Sequence, residues 1–232
     1  MISEVLGSWV PRAIVEKLRG LLPSKPSYLD LGCGDGGLTM KVADIIGASE
    51  VYGVDVDEGA LAEASRKGVK TFKCNLDEAP LPFNDDSFDL VTAFEVIEHL
   101  NNPKHMLREA FRVLRRGGII MIETPNTMGC ASRFIADQLK LATLIIGTPR
   151  TSSYPIEARE AQGFNPQSLR STLIEVGFEV LGVYGVSHPP IELPLIPVII
   201  EEIGELSTSA APHIIAIAQK KGTTLHVEAQ TA

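Results

Sequence analysis

The stretch YLDLGCGDGGLT, residues 28–39, joins a short apolar run to four closely spaced glycines. Glycine loses more backbone entropy on folding than any other residue, so such a cluster is typical of positive φ angles or close backbone approach. Leu38, Val42, Ile45 and Ile46 follow at helical spacing, which predicts a strand, a glycine turn and a helix. The helix N-terminus then offers unpaired N–H groups at the carboxyl edge of a sheet, so we predict a ligand against this turn.

Outward from the turn, short apolar runs alternate with helical periodicity as far as residue 124. Strands are predicted at Tyr28–Leu31, Val51–Val54, Lys70–Cys74, Phe88–Phe94 and Ile119–Glu123. The helix before the fifth strand is predicted to end at Gly117 and Gly118. This alternation predicts an α/β fold with a parallel sheet covered by helices on both faces.

The pattern changes after residue 124, where long irregular stretches separate the predicted elements. A helix is predicted to begin at the N-cap Asn165, with Pro166 at its first position, and to end at Gly177. Strands are predicted at 178–186 and 213–221. We expect one domain over residues 1–221, with an N-terminal helix (1–25), a ligand-binding core (26–126), substrate-side insertions (127–164 and 187–212) and a flexible tail (222–232).

Composition limits the classes of function. The net charge is −8 and no long run of Lys or Arg occurs, so nucleic acid is not expected as a partner. The three cysteines are widely spaced without a CxxC motif, which indicates neither a disulfide framework nor a zinc site. The N-terminal residues do not resemble a signal peptide, and no apolar run approaches the roughly 20 residues of a membrane span. We therefore expect a soluble, cytoplasmic protein without stable membrane insertion.

Two acidic residues narrow the choice of ligand. Asp55 lies 23 residues after Gly32, close to the spacing of roughly 20 at which a carboxylate binds ribose hydroxyls, which favours an adenosine-containing ligand. A helix N-cap is the alternative role for Asp55, although Asp57 suits that role better. Asp30 would repel the pyrophosphate of a dinucleotide but attract the ammonium group of S-adenosylmethionine. The spacing is GxGxG and not the GxGxxG of dinucleotide-binding folds.

Four motifs in order, YLDLGCGDGGLT, EVYGVDVDEGAL, CNLDEAPLPFNDDSFDLVTAFEVIEHLNNP and LREAFRVLRRGGIIMIETPN, resemble the class I S-adenosylmethionine-dependent methyltransferases, particularly the small-molecule group. The resemblance covers residues 26–126 and, more weakly, GFNPQSLRSTLIEVGFEV and the last strand. It implies a Rossmann-like, doubly wound, mostly parallel seven-stranded sheet with an antiparallel last strand. It also implies S-adenosyl-L-methionine as the cofactor.

The resemblance further implies the residues of the cofactor site. The glycine motif would surround the methionine end, Asp55 would hold the ribose, Val56 would lie against the adenine, and Phe94 and Glu95 would lie beside the methyl group. Either Asn75 or Asp77 would meet the adenine amine, and the sequence leaves this choice open. The full cofactor-binding set is Asp30, Gly32, Cys33, Gly34, Gly36, Asp55, Val56, Asn75, Leu76, Asp77 and Phe94.

Glu95, Glu98 and His99 are spaced i, i+3 and i+4, which predicts that they share one helix face just after the fourth strand. We expect His99 and Glu95 to be catalytic, with the cluster acting as a base if the acceptor is a hydroxyl. The cluster resembles the ExxEH element of quinone-biosynthesis O-methyltransferases, where it is linked with metal or proton handling. Support of the helix is the alternative role, and we predict no metal site.

The expected reaction moves a methyl group to an O, N or C atom of a small or lipid-like molecule. An NAD-dependent oxidoreductase and a non-catalytic S-adenosylmethionine-binding regulatory protein are the alternatives. The identity of the acceptor and the presence of a homodimer are left open. The acceptor pocket is expected in the insertions, with Met128, Phe134 and Tyr154 as an apolar wall and with Arg150 or Arg159 to meet an acidic substrate. The apolar 191–203 stretch is expected to cover the site, to contact a lipid-like substrate or to form a dimer surface.

Overall fold

The computed structural model describes residues 12–129, 163–186, 208 and 211–221. The helices are α1 (Arg12–Leu21), α2 (Gly37–Ile46), α3 (Glu58–Arg66), α4 (Pro103–Val113) and α5 (Pro166–Val176), with a 3-10 turn at Ile97–His99. The strands are β1 (Ser27–Leu31), β2 (Glu50–Asp55), β3 (Lys70–Lys73), β4 (Phe88–Phe94), β5 (Leu114–Pro125), β6 (Phe178–Val186) and β7 (His213–Lys220).

The seven strands form one sheet in the order β3-β2-β1-β4-β5-β7-β6. Strands β1 to β5 pair in parallel, whereas β7 is antiparallel to both β5 and β6. The predicted doubly wound fold with an antiparallel last strand is therefore confirmed. The strand order reverses between β1 and β4, and ligands of such sheets bind in the crevice at the carboxyl ends of the strands at this point.

Two apolar layers cover the two faces of the sheet. Leu107, on α4, and Leu169, on α5, are buried with the β5 side chain of Ile122 on one face. On the other face, Ile14 and Val42 are buried in the layer that includes α1 and α2. Every residue of β1 is buried, as expected of a central parallel strand with helices on both sides.

Local capping follows the sequence signals. The side chain of Asp57 caps α3 by accepting hydrogen bonds from the backbone of Gly59 and Ala60, as predicted. Asn165 caps α5 through a reciprocal capping box with Ser168, and Gly177 ends this helix with a φ angle of 114°.

The boundary between α4 and β5 differs from the prediction. The helix ends at Val113 and β5 already begins at Leu114, so Gly117 and Gly118 lie within a strand and do not end a helix. The pairing with β4 shifts register in this region, which accommodates the extra residues before Ile119. Strand β3 ends one residue earlier than predicted, at Lys73.

Several predicted regions fall outside the described residues. They include most of the insertion at 127–164, most of the insertion at 187–212 and the tail at 222–232. The division of the chain into a single domain with insertions stays a prediction. Among the helices that the structure describes, no helix is both long and apolar enough to cross a membrane.

Candidate active site

The three alternate glycines of the first motif all adopt positive φ angles, 72° at Gly32, 50° at Gly34 and 74° at Gly36. A Cβ atom at Gly32 would collide with the side chain of Val96, and one at Gly36 would lie 2.9 Å from the Cα of Ala64. The absence of a side chain at Gly36 thus lets the loop approach helix α3 closely. At Gly34 a Cβ would meet no described atom within 4 Å. Gly34 is therefore the point of the loop that faces open space.

The carboxylate of Asp55 anchors this loop to the end of β2. Its Oδ2 accepts a hydrogen bond of 2.9 Å from the backbone N–H of Gly34, and its Oδ1 accepts one of 3.0 Å from the N–H of Asp57. A carboxylate has about four acceptor positions, so Asp55 retains the capacity to bind hydroxyl groups. The next side chain, Val56, is 58% exposed and provides an apolar surface beside it.

Asp30 lies beneath the loop in a buried network of hydroxyl groups. The hydroxyls of Thr39 and Thr92 each donate a hydrogen bond of 2.6 Å to its carboxylate, and the Thr92 hydroxyl also contacts that of Tyr28 at 2.8 Å. Burial raises the pKa of Asp30 to about 6, although these two hydrogen bonds oppose the shift. Asp30 is only 3% exposed, and its contact with a ligand ammonium group stays a prediction.

The turn after β3 separates the roles of Asn75 and Asp77. Asp77 accepts hydrogen bonds from the side chain of Asn101 at 3.2 Å and from the backbone of Asn102 at 2.8 Å, so it holds the segment that begins α4. Asn75 is exposed and accepts a hydrogen bond from the backbone of Asp77. Leu76 is buried between them. Asn75 is therefore the more accessible side chain of the two.

The predicted single helix face of Glu95, Glu98 and His99 is wrong. Glu95 has a φ angle of 53° and precedes the 3-10 turn, which contains only Ile97–His99. This left-handed conformation costs a non-glycine residue roughly 1–3 kcal/mol. Glu98 is buried and accepts a hydrogen bond of 2.9 Å from the Thr124 hydroxyl, while the side chain of His99 is 47% exposed.

Burial raises the pKa of Glu98 to about 7, and the charge of Glu95 adds to the effect. Glu98 Oε1 is buried and has no hydrogen-bond partner among the described residues. The Nε2 atom of His99 lies 3.8 Å from this oxygen, so the two side chains are neighbours without a hydrogen bond. Glu98 and His99 are therefore adjacent side chains at this edge of the sheet, one buried and one half exposed.

Glu95 points instead towards two residues that the sequence did not bring to our attention, Glu123 and His213. The Nδ1 atom of His213 lies 2.9 Å from Glu95 Oε1 and 2.7 Å from Glu123 Oε1. The ligand-type atoms of the three side chains lie within 4.8 Å of one another. His213 Nδ1 thus bridges the two carboxylates, an arrangement typical of an ion-pair network.

Comparison with known proteins identifies a methyltransferase domain in the chain. Residues 29–122 match the family described as "Methyltransferase domain". A probable S-adenosylmethionine-dependent methyltransferase of Mycobacterium tuberculosis is 35% identical over 166 residues, which are 70% of this chain and 52% of that protein. The ubiquinone biosynthesis O-methyltransferase of Maricaulis maris is 30% identical over 177 residues, 70% of this chain and 63% of that protein.

Solved structures show the same fold. A methyltransferase solved with the Haloferax volcanii Trm112 methyltransferase activator superposes with a TM-score of 0.64 at 16% identity, covering 89% of this chain and 88% of that one. A SAM-dependent methyltransferase of Thermotoga maritima gives 0.61 at 22% identity, covering 89% and 87%.

The chain contains a class I S-adenosylmethionine-dependent methyltransferase domain. S-adenosyl-L-methionine, as expected, is the cofactor of this class. The open side of Gly34, the carboxylate of Asp55 and the apolar surface of Val56 suit a nucleoside with an amino-acid tail. The chain spans about half the length of the first curated relatives that it matches.

Two predicted cofactor residues of the methyltransferase domain pack into its interior. The thiol of Cys33 lies so close to Gly53 that a Cβ there would be 2.6 Å from the sulfur, and burial raises the pKa of the thiol to about 12. Phe94 is half-buried and packs against the layer of α1 and α2. Any contact of Cys33 with the cofactor therefore involves its backbone.

The acceptor side of the methyltransferase is only partly described. Met128 is 56% exposed, as a wall residue would require. The other two predicted wall residues, Phe134 and Tyr154, lie outside the described residues, as do Arg150, Arg159 and the 191–203 stretch.

Sequence patterns contained a weak signal for the two missed residues. Glu123 is a charged residue at the carboxyl end of an apolar central strand, and His213 opens the apolar last strand. Because β7 runs antiparallel, its first residue comes to the same edge as the last residues of β5. Only a correct pairing of β5 with β7 would have joined them.

Proposed function

We propose that this methyltransferase domain moves a methyl group from S-adenosyl-L-methionine to an O, N or C atom of a small or lipid-like molecule. The observation that carries the proposal is the glycine loop, which opens at Gly34 and is anchored by Asp55. Relatives named for the methylation of rifamycin and ubiquinone precursors support a small-molecule acceptor.

The bound cofactor supplies an electrophilic methyl group on a sulfonium that carries its own leaving group. The protein then mainly has to align the acceptor and exclude water, and such positioning contributes many kcal/mol. The acidic balance of the chain, with a net charge of −8, disfavours nucleic acid as the acceptor. The proposed reaction depends neither on a cytoplasmic location nor on the formation of a homodimer, both of which stay predictions.

Asp55 would accept hydrogen bonds from the ribose, Val56 would lie against the adenine and Asn75 would meet the adenine amine. Asp77 is less suited to this contact because both of its carboxylate oxygens hold the segment before α4. Asp30 would act through its charge from beneath the loop, since both of its oxygens accept hydrogen bonds from threonine hydroxyls.

Glu95 and His99 would take a proton from the acceptor if that acceptor is a hydroxyl. Both side chains are about half exposed at the carboxyl edge of the sheet, 43% for Glu95 and 47% for His99. Burial raises the pKa of Glu95, and a carboxyl with a raised pKa exchanges protons closer to neutral pH than an ordinary one.

Incubation of the purified protein with methyl-labelled cofactor and a metabolite extract tests the proposal. We expect label in a small molecule, and we expect His99→Ala to reduce this transfer by about 10²-fold or more for a hydroxyl acceptor. His105→Ala, on α4, is the matched histidine control and should retain the transfer.

Calorimetry with S-adenosylhomocysteine and with NADH separates the alternatives. Saturable binding of NADH alone would establish the oxidoreductase reading and refute ours. Tight binding of S-adenosylhomocysteine without transfer to any extract component would favour a non-catalytic binding protein.

A further inference from the structure

Glu95, Glu123 and His213 come from three different elements and meet at the carboxyl edge of the sheet. Glu95 follows β4, Glu123 is near the end of β5 and His213 begins β7. The backbone N–H of Glu95 also donates a hydrogen bond of 3.1 Å to the carbonyl of Glu123. The backbone of Glu95 is thus bonded to Glu123, while its side chain contacts His213.

Exposure is graded across these three side chains. Glu123 is 1% exposed, His213 is 18% exposed and Glu95 is 43% exposed. The buried carboxylate anchors the imidazole, and the imidazole in turn reaches the carboxylate that solvent and ligands can approach. Glu123 is therefore the buried end of the cluster, His213 lies between the two carboxylates, and Glu95 is the accessible end.

Glu95, the accessible end of the cluster, lies beside the glycine loop. Val96, which follows Glu95, packs so closely on Gly32 that a Cβ atom at Gly32 would collide with it. The left-handed backbone of Glu95, with φ at 53°, turns the chain between β4 and this contact. A residue in such a conformation persists only where its surroundings determine it.

We propose that His213 and Glu123 are positioning residues that hold the carboxylate of Glu95 at the cofactor edge of the site. The proposal rests on the proposed function only for the catalytic consequence, because the arrangement itself can be measured without an acceptor. We refer to the three side chains below as the Glu95 clamp.

The electrostatics of the Glu95 clamp are consistent with a bridging cation. Burial by itself lowers the pKa of His213, but the hydrogen bonds to Glu123 and Glu95 outweigh it and raise the pKa to about 9. Burial and the charge of Glu123 raise the pKa of Glu95, and Glu98 of the 3-10 turn adds a third carboxyl nearby. An imidazolium between the carboxylates compensates part of this negative charge at neutral pH.

NMR titration of the full chain with ¹⁵N-labelled histidine tests the clamp directly. We expect the His213 ring to titrate near pH 9 in the wild type. Glu95→Gln and Glu123→Gln should each lower this midpoint, because each removes one carboxylate partner. His105, whose Nε2 lies 3.1 Å from the carbonyl of Ala79, is the internal control and should not respond to either change. A His213 midpoint that ignores Glu95→Gln would overturn the proposal.

The dependence of kcat on pH, measured with the acceptor from the labelling experiment, tests the catalytic consequence. His213→Asn should lower kcat by about tenfold or more and move its acid limb to higher pH, with the KM for the cofactor within about twofold. Glu123→Gln should move this limb to lower pH, because it removes the negative charge that opposes ionisation of Glu95. His105→Asn should leave the profile unchanged.

The outcomes distinguish the two proposals. If the wild type methylates nothing, the proposed function fails, whereas the NMR titration still decides the clamp. A pH profile that His213→Asn leaves unchanged refutes the positioning role even if the enzyme is active. Stoichiometric divalent metal in the purified protein that His213→Asn loses would show a metal site and overturn the proposal.

Discussion

Gly34 and Gly68 offer a matched pair of substitutions at the residue scale. Both have positive φ angles, 50° and 102°, and a Cβ at either position meets no described atom within 4 Å. Only Gly34 lies in the loop assigned to the cofactor. Gly34→Ala should therefore weaken S-adenosylhomocysteine binding about tenfold or more, since its methyl group fills space that the ligand needs.

Gly68→Ala should destabilise the fold without weakening the binding, because its strain lies in the turn between α3 and β3. Titration calorimetry measures the affinities, and urea unfolding measures the strain in both variants. Equal affinities of the two variants would show that Gly34 does not face the ligand.

Asp30 predicts a specific pH dependence of stability. Its folded pKa of about 6 lies above the ordinary value of 3.8, so the folded state binds this proton more tightly than the unfolded state does. The stabilisation is full below about pH 4 and is lost as the pH rises through 6, by up to about 3 kcal/mol. The free energy of unfolding of Asp30→Asn, measured relative to that of the wild type, should thus increase between pH 4 and pH 7.

Urea unfolding at several pH values in this window measures the gain. Other titrating groups, including Glu98, occur in both proteins and cancel in the difference. A difference between variant and wild type that stays constant with pH would contradict the buried, raised-pKa carboxyl.

At the element scale, the turn after β3 is the place where two neighbouring side chains have separable roles. Asp77→Ala removes two hydrogen bonds to Asn101 and Asn102 at the start of α4, and should cost about 1–3 kcal/mol of stability. Its affinity for S-adenosylhomocysteine should remain within about twofold of the wild type.

Asn75→Ala should do the reverse and weaken the cofactor affinity by about tenfold, because its exposed amide is the one assigned to the adenine. Denaturation curves and calorimetry on the two variants provide both readouts. A larger loss of affinity in Asp77→Ala than in Asn75→Ala would reverse the assignment.

Element ends were predictable where a local residue determines them. Asp57, Asn165 and Gly177 start or end helices through hydrogen bonds and a φ angle that depend on a few adjacent residues. The end of α4 was not predictable in this way, because pairing of Leu114 with Phe88 of β4 extends the strand through Gly117. Sheet pairing is a long-range interaction, and it overrides a local stop signal.

At the scale of the whole molecule, a cofactor that binds only the folded state must raise its stability. At a concentration of S-adenosylhomocysteine 100 times its Kd, the free energy of unfolding should rise by about 2.7 kcal/mol. NADH at the same concentration should leave the free energy of unfolding unchanged. The charge of Asp30 lies beneath the open loop at Gly34, where it would repel the pyrophosphate of NADH.

Thermal unfolding with each ligand, and with Gly34→Ala as the variant that should lose the response, measures this coupling. Stabilisation by NADH equal to that by S-adenosylhomocysteine would refute the choice of cofactor. The response requires no acceptor, so it remains informative even while the acceptor is unidentified.

The sequence by itself determined the α/β alternation, the seven-stranded sheet of the family, the glycine loop and the position of Asp55 at the end of β2. These features depend on short-range spacing, on hydrophobic periodicity and on motifs that lie close together in the chain. Only the tertiary structure decided that Asp77 holds α4, that Asp30 is enclosed by hydroxyl groups, and that Glu95 turns away from His99 to meet Glu123 and His213. Residues 118 positions apart, such as Glu95 and His213, become neighbours only when an antiparallel β7 returns to the carboxyl edge beside β5. No local pattern records that pairing, because it results from burial of the apolar faces of the whole sheet.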